Sequence, residues 1–256
     1  MRLWQSIVSV WAWLVLVVCV LVWFPVLVVA RLLTAPFDPG RYIPGLIFRK
    51  IAPTMAFLNP LWRFHYSGAL PENPRRPFVV VSNHESFTDI LLISHLPWEM
   101  KWLSKAELFR IPIMGWMMWL VGDIPVKRGF GPSAIEAMAR CRKTLANRVS
   151  VMIFPEGTRS KTAELLPFKD GAFRLAIEAG VPILPLAVSG TSTALRKHDW
   201  RFGRSVAEVR VLEPVETAGL GLADVPALKA RVRDMIVTAR DSLAAARQRS
   251  VGPSSA

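Results

Sequence analysis

The sequence predicts an α/β domain with a largely parallel central sheet flanked by helices, carried behind an N-terminal membrane-associated helical segment. Two observations lead there. Short β-branched apolar runs alternate with helix-like stretches from Phe78 onward, the pattern of strands joined by crossover helices. Ahead of them, no charged residue occurs from Leu3 to Ala30. The chain has 256 residues, of which 52% are apolar, far too much hydrophobic mass for a disordered chain. Two cysteines build no disulfide framework, and charge spread along most of the chain argues against a polytopic membrane protein. We divide the chain into a membrane-anchoring or membrane-spanning segment (1–35), an amphipathic connection (36–77), the α/β domain (78–246) and a flexible tail (247–256).

In the N-terminal segment, Val10 to Ala30 is apolar throughout, interrupted only by Pro25. At about 1.5 Å per residue this covers a hydrocarbon core of about 30 Å. Trp4, Trp11, Trp13 and Trp23 lie along it, and tryptophan favours the headgroup boundary. Pro25 kinks a helix or starts a second one. Three readings stay open: one transmembrane helix, a helix that turns back near Pro25 and continues at the interface, or a cleaved signal peptide. Against the third stand the long apolar run and an n-region holding only Arg2. Arg31, Arg41, Arg49, Lys50 and Arg63 follow, with Asp38 the only acid before Glu72, which places the body of the protein on the cytoplasmic face. Cys19 in the apolar run and Cys141 in a predicted helix are no disulfide pair.

The formal net charge is +13, from 32 Lys and Arg against 19 Asp and Glu. Anionic membrane lipids are the expected counterpart, each nearby cation contributing about 1 kcal/mol. Nucleic acid is not expected, since the chain has no zinc-finger spacing, aromatic RNA-binding signature or basic block.

Residues 36–77, rich in Pro and aromatics, read as a connection with short helices. Phe78 to Ser82 is a buried strand, Asp89 to Leu96 a helix ending before Pro97, and Leu120 to Val126 a strand. Ser133 and Glu136 form a capping-box pattern for a helix to Asn147. Ser150 to Phe154 is a strand, Ala172 to Ala179 a helix closed by Gly180, and Val181 to Ser189 and Val206 to Leu212 are strands. Pro226 opens a last helix with Leu228, Val232, Met235, Ile236, Ala239 and Leu243 on one face.

Chemistry concentrates in two loops after strands, where α/β proteins place their sites. In Asn83-His84-Glu85-Ser86-Phe87-Thr88-Asp89, His84 has the chemistry of a general base. Asp89 can meet its other ring nitrogen, fixing the tautomer and balancing the imidazolium. Taken alone, an arbitrary pair at this spacing reads as a loop histidine beside a helix-capping aspartate, and only its context argues for more. No Gly-x-Ser-x-Gly elbow is present, and a His–Asp pair without its own nucleophile suits activation of an acceptor hydroxyl. In Phe154-Pro155-Glu156-Gly157-Thr158-Arg159-Ser160, Gly157 permits close backbone approach, Thr158 and Ser160 supply hydroxyls, and Arg159 offers a fork for phosphate. Arg128, Lys105 and Lys169 are further phosphate candidates; each alone is also a plain surface charge. His65, His84, His95 and His198 show no paired ligand spacing, so no metal site is expected.

Together these segments resemble the glycerolipid acyltransferase family, best known for the 1-acylglycerol-3-phosphate acyltransferases. The resemblance rests on four ordered blocks: Asn83, His84, Ser86 and Asp89; Gly122, Ile124 and Arg128; Phe154 to Ser160 without a gap; and the Pro-containing strand Val181 to Leu186. Lys105 with Glu107, Leu108 and Pro112, and Phe168-Lys169 with Gly171, fit between them. Pro125 departs mildly from a position where an aromatic is common. The resemblance implies transfer of a fatty acyl group from a thioester, acyl-CoA or acyl-carrier protein, to the sn-2 hydroxyl of lysophosphatidic acid, giving phosphatidic acid. It implies His84 as base and Asp89 as its partner. Lys105, Arg128 and Arg159 would hold the phosphate, and Glu156, Gly157 and Thr158 would form the acceptor pocket. No cofactor beyond the acyl carrier is implied. The same chemistry on another lyso-lipid, and a non-catalytic membrane-anchored binding module, are the alternatives. The apolar stretch Ile111 to Leu120 reads as an acyl tunnel, a membrane-dipping surface or ordinary core.

Overall fold

A computed structural model describes residues 2–160, 164–195 and 199–250. It begins with three helices, α1 (Arg2–Thr34), α2 (Tyr42–Arg49) and α3 (Ile51–Phe57). Strands β1 (Trp62–Gly68) and β2 (Val79–Ser82) lead to α4 (Asp89–Ile93) and β3 (Met100–Lys105). A 3-10 turn, Ala106–Arg110, precedes α5 (Met114–Val121), β4 (Ile124–Val126), α6 (Gly131–Ala146) and β5 (Ser150–Ile153). The chain closes with α7 (Gly171–Ala179), β6 (Ile183–Ser189), β7 (Ser205–Val211) and α8 (Val225–Ser250).

The strands form one sheet in the order β1-β7-β6-β2-β5-β3-β4. From β6 to β4 all neighbours are parallel; β7 runs antiparallel to β6, and β1 pairs with β7 in parallel. Alternation along β2 divides the core. Val79 and Val81 join Cys141 of α6, Phe173 of α7 and Ile236 of α8 on one face, and Val80 joins Leu92, Ile93 and Trp102 on the other. A parallel sheet covered on both faces needs such continuous apolar strands.

The structure corrects several element boundaries. The connection 36–77 contains the two short helices and also β1, an edge strand in which Trp62, Phe64 and Tyr66 alternate with polar residues. Strand β3 was not foreseen, because Lys101 reads as a surface residue. It is instead fully buried, its Nζ 2.8 Å from Glu99 Oε1 and 2.7 Å from the Arg41 carbonyl. Leu120 and Val121 belong to α5, which Gly122 ends at φ 86°, so β4 is only three residues long. Ser133 does not cap α6. The helix starts earlier, Ser133 Oγ accepts the Lys127 N–H at 3.0 Å, and Glu136 pairs with Arg140. Residues 247–250 continue α8, where Arg247 donates to Ser189 Oγ at 3.0 Å; residues 251–256 of the expected tail, and His198, lie outside the described residues.

Helix α1 runs unbroken through Pro25 and is about 50 Å long at 1.5 Å per residue. Near its start, Gln5 Nε2 donates to the Phe202 carbonyl at 3.1 Å and Trp13 Nε1 to the Trp200 carbonyl at 2.9 Å. Further along, Val15, Cys19 and Leu27 are buried with Ile51 and Met55 of α3 and Met117 and Val121 of α5. The helix therefore lies against the body along most of its length. Its outer side, including Leu3, Ile7, Val10, Leu14, Val17, Leu21, Val29 and Leu32, is an exposed apolar stripe.

Arg49 of α2 ties these helices to the sheet. Its guanidinium meets Asp123 Oδ2 at 3.2 Å and Glu99 Oε2 at 3.5 Å in a buried network with Lys101. Burial lowers the Lys101 pKa, opposed by Glu99.

Candidate active site

The predicted site residues gather at the carboxyl ends of β2, β5, β3 and β4, four adjacent parallel strands. The turn after β2 is held at its base by Asn83, whose side chain donates to the Val188 carbonyl (2.9 Å) and accepts the Val188 N–H (2.8 Å). This clamps it to β6. His84 Nδ1 then lies 2.7 Å from Asp89 Oδ2 at the start of α4. The same carboxylate oxygen accepts the N–H groups of Glu85 (2.7 Å) and Ser86 (3.0 Å), while Oδ1 accepts the Thr191 hydroxyl. Four donors on one buried carboxylate fix the position of Asp89. The carboxylate accepts a hydrogen bond from the Nδ1–H, which leaves Nε2 as the proton-accepting nitrogen. The His84 ring stacks on Phe154, centroids 3.9 Å apart and planes 15° apart, so its rotation is restricted.

The loop after β5 packs on this turn. Glu156 is buried; Oε1 accepts the His84 N–H at 2.7 Å and Oε2 the Leu166 N–H at 2.9 Å. Burial raises its pKa, opposed by those two N–H groups. The Ser160 N–H returns a bond to the His84 carbonyl at 3.0 Å. Glu156 thus bridges the two loops. Gly157 has φ +71°, and a Cβ there would stand 2.7 Å from Lys169 Nζ, so glycine lets the Lys169 side chain cross the loop. Thr158 and Arg159 are exposed at the loop tip.

Lys105 ends β3 in register with Val126 of β4, and Arg128 follows two residues beyond. Burial and the Arg159 charge lower the Arg128 pKa, with Glu107 opposing. Arg128 and Arg159 therefore share one electrostatic neighbourhood. Lys105 Nζ is 3.6 Å from Glu107 Oε1, both half exposed. The geometry thus places a buried His–Asp pair beside a rim of exposed cations.

An apolar cavity of about 160 Å³ lies between the helices and this edge. It begins at Phe87 and Thr88, just past the dyad, and runs among Leu91, Trp102, Met114 and Met118 towards Trp13 and Leu16. The stretch 111–120 serves two sides: Ile111, Met114 and Met118 line the cavity, while Trp116 and Trp119 are exposed. Thr191 and the stacking role of Phe154 were not anticipated. Only contact in space reveals Thr191, which reaches Asp89 across 102 residues of chain. Glu85 was also passed over: burial and the Asp89 charge push its carboxyl up to about 7, although the Gly190 N–H at 3.3 Å opposes this. Among the described residues no cluster of potential metal ligands occurs.

Comparison with known proteins decides the family. Human 1-acyl-sn-glycerol-3-phosphate acyltransferase alpha is 42% identical over 202 residues, covering 78% of this chain and 71% of that protein. The chain belongs to the acyltransferase family. The family model, described as Acyltransferase, matches residues 63–189, the span holding the dyad, both loops and all the candidate cations. A chloroplastic 1-acyl-sn-glycerol-3-phosphate acyltransferase of Arabidopsis thaliana is 38% identical over 157 residues, 60% of this chain and 44% of that protein. The acyltransferase fold also recurs in the crystal structure of PlsC, the 1-acyl-sn-glycerophosphate (LPA) acyltransferase of Thermotoga maritima. There the TM-score is 0.80 at 23% identity, covering 95% of this chain and 98% of that one.

Proposed function

We propose that this acyltransferase moves a fatty acyl group from a thioester donor, acyl-CoA or acyl-carrier protein, to the sn-2 hydroxyl of 1-acyl-sn-glycerol 3-phosphate, making phosphatidic acid. The observation that carries the mechanism is the buried 2.7 Å His84–Asp89 contact beside the cationic rim. His84 Nε2 takes the sn-2 proton as the hydroxyl oxygen attacks the thioester carbonyl. Asp89 holds the tautomer and stabilises the imidazolium. The tetrahedral intermediate collapses, the carbon–sulfur bond breaks, and the departing sulfur receives the proton from His84. No acyl-enzyme forms. Lys105, Arg128 and Arg159 attract and hold the acceptor phosphate near the dyad, and an acyl chain occupies the apolar cavity.

The protein is associated with a membrane through the apolar stripe of α1, with its body on the cytoplasmic face. The flanking cations Arg31, Arg41 and Lys50 support that orientation. The test is acylation by the purified full chain of a panel of lyso-lipids differing in head group, with each thioester donor. The expected result is phosphatidic acid from lysophosphatidic acid, lost in His84→Ala. Absence of product from lysophosphatidic acid with either donor, or faster acylation of a different lyso-lipid, would reject the assignment.

A further inference from the structure

On the outer side of α5, away from the cavity beside the dyad, lies a second feature the reaction does not use. An open groove of about 490 Å³ runs between α1 and α5, floored by Phe24, Val28, Trp116 and Leu120. The Phe24 and Trp116 rings lean on one another across it, centroids 6.0 Å apart. At its end stand Arg31 and Arg41. Arg41 is held firmly. Its backbone takes the left-handed conformation at φ 53°, its Nη1 donates to the Trp119 carbonyl at 2.7 Å, and its own carbonyl accepts from buried Lys101. Burial and the Arg31 charge lower the Arg41 pKa. Among the described residues, neither arginine has a carboxylate in ion-pair contact.

Two half-buried guanidiniums that repel each other, at the mouth of an apolar groove, complement an anion with an apolar tail. The groove opens beside the exposed stripe of α1, so that tail comes from the bilayer. We propose that this groove is a binding site for an anionic glycerophospholipid of the membrane, its phosphate between Arg31 and Arg41 and one acyl chain along Phe24, Val28, Trp116 and Leu120. The site is distinct from the acceptor site, because Met114 and Met118 turn the opposite side of α5 to the acyl cavity. It rests on reading the α1 stripe as the membrane face.

The experiment uses the full chain in mixed phosphatidylcholine and phosphatidylglycerol vesicles, with bound lipid counted by native mass spectrometry after extraction. Wild type retains phosphatidylglycerol selectively. Arg31→Gln/Arg41→Gln loses about thirtyfold in that selectivity, about fivefold for each cation withdrawn. The charge-matched control Arg63→Gln/Arg204→Gln, at exposed positions in β1 and just before β7, keeps it. Val28→Trp fills the groove with both arginines intact and also loses it, which covers the case in which the double variant fails to fold. Equal retention of both lipids by wild type, or equal loss in the control, would overturn the proposal. Flotation with pure phosphatidylcholine vesicles separates the two readings: the double variant still floats if α1 is the membrane face, and failure of wild type to float would reject that face itself.

Discussion

The dyad and the cationic rim differ in how completely they are fixed. Asp89 is fully buried and bonded by four donors, and His84 is pinned between Asp89, Phe154 and the Glu156 carboxylate on its backbone. Lys105, Arg128 and Arg159 are exposed side chains at strand ends and a loop tip. Proton transfer demands fixed geometry, since a small displacement costs orders of magnitude in rate. Phosphate capture by charge tolerates mobility, and under the proposed function the exposed cations need only attract an anionic acceptor. Damage to the first region should therefore appear in kcat, and damage to the second in KM.

The largest expected effect is on the dyad. Asp89→Asn should lower kcat by about 10³–10⁴-fold, because the amide favours the wrong His84 tautomer, with KM little changed. A comparable rise in KM with kcat intact would break the distinction. Arg159→Ala comes next. It should raise KM for the phosphorylated acceptor by about 10–100-fold, the worth of a charge-assisted contact, and leave kcat within a few-fold. Added salt sharpens the same contrast: exposed rim charges are screened, so KM should climb with ionic strength while kcat holds.

A smaller effect concerns stability. Folded Glu85 keeps its proton up to about 7, against an ordinary 4.5. Between those values the folded state binds more protons than the unfolded chain, so stability falls as pH rises through the window. Thermal unfolding of wild type and Glu85→Gln at its two ends checks this; the variant should lose that part of the slope. The smallest effect is at the exposed Lys105–Glu107 contact. Glu107→Gln should leave the melting temperature unchanged, as exposed pairs add little.

Much of the sheet was legible because parallel strands such as Val79–Ser82 and Ile183–Ser189 are near-continuous apolar runs. Strand β3 was hidden by Lys101, a charge whose partner Glu99 makes burial tolerable, and no local pattern reveals such a pairing. Strand β1 was hidden by its Pro-rich surroundings, although its aromatics alternate as an edge strand's do. Pro25 suggested a break that packing of α1 against α3 and α5 overrides. At the site, the motifs named the His–Asp pair. They also named Glu156; that its two oxygens accept the His84 and Leu166 N–H groups is set by tertiary contact and has no local signal.

The most direct measurement compares lysophosphatidic acid with its phosphate-free counterpart, a 1-acylglycerol, as acceptors for wild type, His84→Ala and Arg159→Ala. A fixed dyad with a separate phosphate rim predicts that His84→Ala depresses kcat/KM for both acceptors alike. Arg159→Ala should depress it only for the phosphorylated one. Equal losses on both acceptors in Arg159→Ala, or full activity in His84→Ala, would contradict that division of labour.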